Sequence, residues 1–245
     1  MERRVALVTG GCKGIGRWIA LKLGENGINV AVNYRKSRGS AESVVKKIRD
    51  YGVDSKAYQA DVSDPGQVKR LIKSVVRDFR GLDILINNAG DWCYKPVAET
   101  TDAEFDKIVR GNYYSTFYCT REALPFLRMS GKGRIINLGI IGAQNASGIA
   151  SMGPYMGAKA AVVSFTRSIA LEEAKYRITA NVVCPGQIRD KLLSISEAEQ
   201  ISDPKIPLGR PATGEDIANA VLFLISDHAS FITGNVLLVT GGWHI

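Results

Sequence analysis

Three glycines near the amino terminus have the spacing of a loop that binds phosphate. The segment TGGCKGIG occupies residues 9–16 and follows a short apolar stretch at residues 5–9. Gly10 permits a tight turn, Gly14 lets the backbone approach a pyrophosphate, and Gly16 lets a helix pack close to the preceding strand. A helix that begins here offers free N–H groups and the positive end of its dipole to phosphate. Because the glycines lie between a strand and a helix, the segment predicts a dinucleotide-binding loop.

Tyr155 and Lys159 are a second pair of residues that could do chemistry. They are four residues apart in a segment with helical periodicity, residues 155–176, so both side chains lie on one helix face. Hydride reduction of a carbonyl needs a proton donor for the developing alkoxide and a group that holds the oxygen in place. The pair could meet those needs, but its spacing alone is too common to indicate a site.

These residues depend on elements that alternate between strand and helix. Strands are predicted at residues 5–9, 29–33, 55–59, 82–86, 134–138, 179–183 and 236–239. Helices are predicted after Gly14 and at residues 40–50, 65–79, 155–176 and 215–226, and a capping box at Thr101 and Glu104 predicts a long helix towards Leu127. The alternation predicts an α/β protein over residues 1–245, a single-domain Rossmann fold with a doubly wound seven-stranded parallel sheet and helices on both faces.

Five motifs, taken in chain order, resemble those of the short-chain dehydrogenase/reductase family. The first is the glycine loop, whose Thr-Gly-x-x-x-Gly-x-Gly spacing is that of the family. The others are Asp61-Val62, the segment NNAG at residues 87–90, the Tyr155 and Lys159 pair, and Pro185-Gly186. The resemblance covers residues 5–242, and it implies an oxidoreductase that reduces a carbonyl group by hydride transfer from a nicotinamide cofactor.

The resemblance also implies roles for individual residues. Tyr155 would donate the proton, and Lys159 would lower the pKa of the tyrosine and hydrogen-bond the nicotinamide ribose. Asn112 matches the family asparagine whose backbone carbonyl holds a water in a proton relay to the lysine. The implied cofactor-binding positions are Gly10, Cys12, Lys13, Gly14, Ile15, Gly16, Tyr34, Arg35, Lys36, Ser37, Asp61, Val62, Asn88, Ala89, Gly90, Tyr155, Lys159, Pro185, Gly186 and Ile188.

The end of the second strand indicates which nicotinamide cofactor binds. An NAD-type site places a carboxylate there for the ribose hydroxyls, and the family's acidic position falls on Tyr34. Arg35, Lys36 and Ser37 follow it, Lys13 lies in the glycine loop, and an arginine offers a bidentate fork to a 2′-phosphate. With no carboxylate expected to repel that phosphate, the sequence predicts NADP(H).

Two family positions carry unexpected residues. The serine that usually orients the substrate oxygen aligns with Ile140, which has no donor, and the threonine near the nicotinamide carboxamide is replaced by Asp190. Three explanations stay open for the missing serine: a surrogate donor from a rebuilt loop, a substrate that supplies its own activation, or inefficient catalysis. The candidate surrogate donors are Asn145, Ser147 and Ser151.

Within the family the pattern is most similar to bacterial 3-oxoacyl-[acyl-carrier-protein] reductases, through IPLGR at residues 206–210 and FITG at residues 231–234. This implies a small-molecule carbonyl or acyl-thioester substrate, with an acidic acyl carrier protein as a candidate partner of Lys132, Lys175 and Arg177. Asp91, Trp92, Tyr94 and Trp243 are candidates to line the substrate pocket. A reductase of a pterin or quinone and a non-catalytic NADP(H)-binding protein stay open as alternatives.

Composition limits the remaining classes. The chain has 245 residues and a formal net charge of +8, but its basic residues are scattered, so we expect no nucleic-acid partner. Since no apolar run approaches the ~20 residues of a membrane helix, we expect a cytoplasmic protein. Four separated cysteines and two histidines show no zinc spacing, so we expect no metal. The resemblance implies a homotetramer in which the long helices pair between subunits.

Overall fold

The structure, a computed structural model, describes residues 3–188 and 193–243 and contains a seven-stranded sheet. Its strands are β1 (Val5–Val8), β2 (Asn29–Tyr34), β3 (Ser55–Gln59), β4 (Ile84–Asn87), β5 (Arg134–Leu138), β6 (Thr179–Pro185) and β7 (Val236–Val239). All neighbouring strands pair in parallel, in the order β3-β2-β1-β4-β5-β6-β7. Every residue of the central strands β1, β4 and β5 is buried because helices cover both faces, whereas the residues of the edge strand β7 are half-buried.

Two groups of helices form those covers. The helices are α1 (Gly14–Glu25), α2 (Arg38–Asp50), α3 (Pro65–Phe79), α4 (Asp102–Val109), α5 (Ser115–Ser130), α6 (Gly153–Glu173), α7 (Ile195–Ala198) and α8 (Gly214–Ile225). One apolar core joins α1, α2 and α8 to the sheet, and a second joins α3, α5 and α6 to its other face. The predicted doubly wound fold is therefore confirmed. Within the described ranges, each helix falls short of the length or the apolarity that a membrane span requires.

Most boundaries agree with the sequence, and the exceptions have local causes. β3, β5, β7 and α3 have the predicted bounds, whereas β4 begins at Ile84 and not at residue 82. The helix predicted at residues 155–176 begins at Gly153 and ends at Glu173, and a 3-10 turn follows it. The short helix α7 was not predicted. It begins with a capping box of Ser194 and Glu197, but a single helical turn is too short to show a hydrophobic periodicity.

The long helix predicted from Thr101 is interrupted by a π-helical turn at Arg110–Tyr114, between α4 and α5. The hydroxyl of Ser115 donates to the carbonyl oxygen of Gly111 at 2.7 Å, and that of Thr116 donates to the carbonyl oxygen of Asn112 at 2.7 Å. Side-chain hydroxyls that bond back to these carbonyls compete with the helical ladder. The turn places Asn112, which is fully buried, beside the loop that follows β4.

Candidate active site

A groove of about 860 Å³ follows the carboxyl ends of the parallel strands. This edge of an open α/β sheet is where ligands usually bind. The predicted cofactor-binding residues all line the groove, except Gly16, Tyr34, Lys36 and Ser37. Asp190 lies outside the described residues.

The glycine loop has the backbone shape that a phosphate cradle needs. Gly10 and Gly14 have φ values of 59° and 53°, in the left-handed region that favours glycine. A Cβ on Gly16 would collide with the side chain of Asn88 and the carbonyl oxygen of Gly10, so this helix turn packs directly against the neighbouring loop. Lys13 is the N-cap residue of α1, and among the described residues its side chain makes no hydrogen bond to the first turn of the helix. The N–H groups of that turn are therefore available to a pyrophosphate.

Asn33 holds the glycine loop in place, and the sequence analysis did not single it out. Its Oδ1 accepts a hydrogen bond from the N–H of Gly10 at 3.1 Å, while its Nδ2 donates to the carbonyl oxygens of Tyr58 and Ala60. The available signal was a polar residue inside the otherwise apolar strand β2. On the other side, Asn88 donates from Nδ2 to the carbonyl oxygen of Thr9 at 2.9 Å. Both amides fix the turn from which a dinucleotide would be bound.

The residues that follow β2 differ from expectation in one respect. Arg35 lines the groove as predicted, but two carboxylates face its guanidinium. Nη1 and Nη2 lie 3.2 Å from Oδ2 and Oδ1 of Asp91, and Nη1 lies 3.9 Å from Oδ2 of Asp61. The expectation that no carboxylate would stand near this arginine is therefore wrong, because the loop after β4 returns Asp91 to the end of β2.

Helix α6 brings Tyr155 and Lys159 into the same groove as the glycine loop. The Nζ of Lys159 donates to the carbonyl oxygen of Leu138 at 2.7 Å and lies 5.6 Å from the centroid of the Tyr155 ring. Burial lowers the pKa of Lys159 to about 8. Burial also raises the pKa of Tyr155 to about 12, so the expectation of a lowered tyrosine pKa is wrong for this arrangement. The neighbouring thiol of Cys184 is the second, smaller cause of the raised tyrosine pKa.

Asn112 lies behind Gly90 and outside the groove lining. A Cβ on Gly90 would lie 2.5 Å from Oδ1 of Asn112 and 3.7 Å from Nζ of Lys159, so the two polar groups flank the same glycine. The Oδ1 atom is buried and has no hydrogen-bond partner among the described residues. The backbone carbonyl of Asn112, which the family resemblance assigns to a water, accepts from the hydroxyls of Ser115 and Thr116.

The position of the missing serine is apolar in the structure. Ile140 and Met152 line the groove together with Tyr155, whereas Asn145, Ser147 and Ser151 do not. The neighbouring Gly139 has no room for a side chain, since a Cβ would lie 2.5 Å from Sγ of Cys184. Burial raises the pKa of that thiol to about 12. The structure therefore does not bring the three predicted surrogate donors into the groove.

Comparisons with known proteins agree with this geometry. A family model described as Enoyl-(Acyl carrier protein) reductase matches residues 10–244. The chain is 43% identical over 244 residues to a 3-oxoacyl-[acyl-carrier-protein] reductase FabG of Staphylococcus aureus strain Mu50, covering 98% of each protein. It is 38% identical to the versicolorin reductase stcU of Emericella nidulans, covering 99% and 96%.

Solved structures give the same result. The structure of the acetoin dehydrogenase YohF from Salmonella typhimurium matches with a TM-score of 0.90 and 30% identity, over 98% of this chain and 96% of the other. The match covers nearly the whole chain, so it includes the sheet and the helices described above. The chain is therefore an oxidoreductase that belongs to the short-chain dehydrogenase/reductase family.

Proposed function

We propose that the protein is an NADPH-dependent carbonyl reductase acting on 3-oxoacyl thioesters, with Tyr155 as the proton donor and Lys159 as its support. The observation that carries the proposal is that one groove joins a phosphate cradle to the half-buried Tyr155 and the buried Lys159. The identity of 43% with a 3-oxoacyl-[acyl-carrier-protein] reductase supports the substrate class.

The residues of the groove fit a dinucleotide. The first turn of α1 and the backbone around Gly10 and Gly14 would hold the pyrophosphate, while Lys13 and Arg35 would hold the 2′-phosphate. When bound, NADPH supplies the hydride. The proton and the stabilising positive charge would come from side chains of the protein.

Burial raises the pKa of Tyr155 to about 12, so the phenol is protonated at neutral pH and holds the proton that reduction requires. Lys159 is protonated below its pKa of about 8, and the hydrogen bond to the carbonyl oxygen of Leu138 fixes its ammonium. A fixed positive charge near the phenol stabilises the phenolate that remains after the proton leaves. The two groups therefore divide proton delivery and charge stabilisation between them.

This division predicts a pH dependence of reduction. We expect kcat/KM for the carbonyl substrate to be constant at low pH and to fall as pH rises through about 8, where Lys159 loses its proton. Tyr155 stays protonated over the same interval, so it does not limit the rate. The measurement is steady-state oxidation of NADPH across about pH 6–10. A rate that remains constant to the upper end would contradict the role given to Lys159.

A second prediction concerns the cofactor. Replacing Arg35 with aspartate should weaken NADPH binding by about 10–100-fold, because a charge-assisted pair is lost and a like charge is introduced. NADH lacks the 2′-phosphate, so its affinity should change little. Fluorescence titration with each cofactor measures both effects. The matched control is Lys46→Asp, the same charge reversal at an exposed position of α2 outside the groove lining. Equal affinity of the unmodified protein for NADPH and NADH would contradict the assignment.

The substrate assignment is tested by NADPH oxidation with 3-oxoacyl thioesters, diketones, quinones and pterins. We expect the highest kcat/KM with a 3-oxoacyl thioester.

The basic residues Lys132, Lys175 and Arg177 are proposed contacts for an acidic acyl carrier protein. A homotetramer is part of the proposal, supported by exposed Phe105, Phe117 and other apolar side chains on α4 and α5.

Ile140 favours a second candidate, an NADP(H)-binding protein with weak or no catalytic activity. An apolar side chain at this place leaves the substrate oxygen without the usual second donor. Tight NADPH binding without turnover of any carbonyl in the panel would support this candidate over the first.

A further inference from the structure

The ion pair between Arg35 and Asp91 connects two loops across the groove. Its two hydrogen bonds, both 3.2 Å, use Nη1 and Nη2 of the guanidinium and both carboxylate oxygens. The arginine side chain is 43% exposed and the aspartate side chain 20% exposed. Both residues line the groove. Both terminal nitrogens of the Arg35 guanidinium are therefore already hydrogen-bonded to a carboxylate of the protein.

The position of Asp91 is built into the fold. Its backbone carbonyl accepts a hydrogen bond of 2.6 Å from Nδ2 of Asn112. Its carboxylate packs against Gly111, where a Cβ would lie 2.8 Å from Oδ2, so glycine provides the space for this side chain. Lys107 adds a second, more distant positive charge, with Nζ 4.0 Å from Oδ1. Asp91 is thus held in place from its backbone and from one side of its carboxylate.

A carboxylate and a phosphate make the same demand on a guanidinium. Each offers two oxygens that match the parallel N–H groups of the arginine fork. A 2′-phosphate that binds Arg35 in bidentate fashion must replace Asp91 or accept its negative charge a few ångströms away. Asp61, 3.9 Å from Nη1, adds to the same negative environment. Displacement of Asp91 and repulsion by its charge both reduce the free energy gained from binding the 2′-phosphate. Neither affects a cofactor that lacks the 2′-phosphate.

We propose that Asp91 is a specificity-determining residue that weakens binding of the cofactor's 2′-phosphate by competing for Arg35. The inference rests on the proposed use of NADPH. It assigns to the loop after β4 a part in cofactor selection, opposite in sign to that of Arg35. Removing the charge of Asp91 should therefore strengthen the preference for NADPH over NADH.

The test is the substitution Asp91→Asn, which removes the charge and keeps the shape that fits against Gly111. Titrations with NADPH and NADH, and with the fragments 2′,5′-ADP and 5′-AMP, measure the contribution of the 2′-phosphate without any turnover. Because the pair is partly exposed, we expect NADPH and 2′,5′-ADP to bind about two- to fivefold more tightly, with NADH and 5′-AMP nearly unchanged. Asp106→Asn is the matched control, since it removes one exposed negative charge of α4 that lies outside the groove lining.

The outcomes separate this inference from the proposed function. Equal tightening of NADPH and NADH, or the same gain in Asp106→Asn, would show only a general effect of charge and would overturn the inference. An unchanged or weaker affinity for 2′,5′-ADP in Asp91→Asn would also overturn it. Failure of the proposed cofactor would appear in the unmodified protein, as equal affinity for NADPH and NADH.

Discussion

Replacing Tyr155 with phenylalanine is expected to lower the rate of carbonyl reduction by about 10²–10⁴-fold, the usual contribution of a positioned proton donor. The substitution removes the phenolic hydroxyl and keeps the ring that lies 5.6 Å from Nζ of Lys159. The affinity for NADPH should change little, because the residues proposed to hold its phosphates lie in the glycine loop and after β2. Steady-state NADPH oxidation gives the rate, and fluorescence titration gives the affinity.

A matched control distinguishes loss of the donor from a general effect of losing a phenol. Tyr113→Phe removes a hydroxyl from a tyrosine outside the groove lining, whose ring packs edge-on against Phe165. This variant should retain nearly the full rate. If Tyr155→Phe also retained nearly the full rate, the assignment of Tyr155 as the proton donor would be wrong under either candidate function.

The substitution Ile140→Ser is expected to raise turnover of an unactivated ketone by up to about 10²-fold. Ile140 lines the same groove as Tyr155, the proposed proton donor, so a hydroxyl at this position would add a polar group to that part of the groove. The three polar residues proposed as surrogates, Asn145, Ser147 and Ser151, are absent from the described lining of the groove. The new donor would therefore add an interaction that no residue of that set already makes.

Ile140→Ala is the control for this prediction, because it removes the same apolar bulk without adding a donor. A higher kcat in the serine variant than in the alanine variant measures the contribution of the hydroxyl. Equal rates in the two variants would contradict the prediction and favour a substrate that supplies its own activation. A loss of activity in Ser147→Ala or Ser151→Ala would instead indicate a surrogate donor that moves during the reaction.

Much of the fold was predictable because local chemistry and tertiary packing agree. The strands are short apolar runs between breakers, and Pro65 marks the beginning of α3 as the sequence predicts. The π turn at Arg110–Tyr114 was not predictable. It is associated with two hydroxyls that bond back to carbonyls, those of Ser115 and Thr116, and a window of hydrophobic periodicity averages over such contacts.

The site also contains features that the sequence predicts and features that only the tertiary structure reveals. The family resemblance places the glycine loop and the Tyr155 and Lys159 pair beside one cofactor, and in the structure both line the same groove. The pairing of Arg35 with Asp91 joins residues 56 positions apart, and it depends on the path of the loop after β4. The direction of the Tyr155 pKa likewise depends on burial, which family motifs do not report.

The burial of Lys159 sets thermodynamic stability against catalysis. Its pKa falls from 10.5 to about 8 on folding, which corresponds to a cost of roughly 3 kcal/mol while the amine is charged. The cost is present below pH 8, and it disappears as pH rises towards the value of the unfolded chain. Folded domains retain only about 5–15 kcal/mol in total, so this lysine is a large liability. Removing the charged amine should therefore raise resistance to heat below pH 8 and lower the catalytic rate.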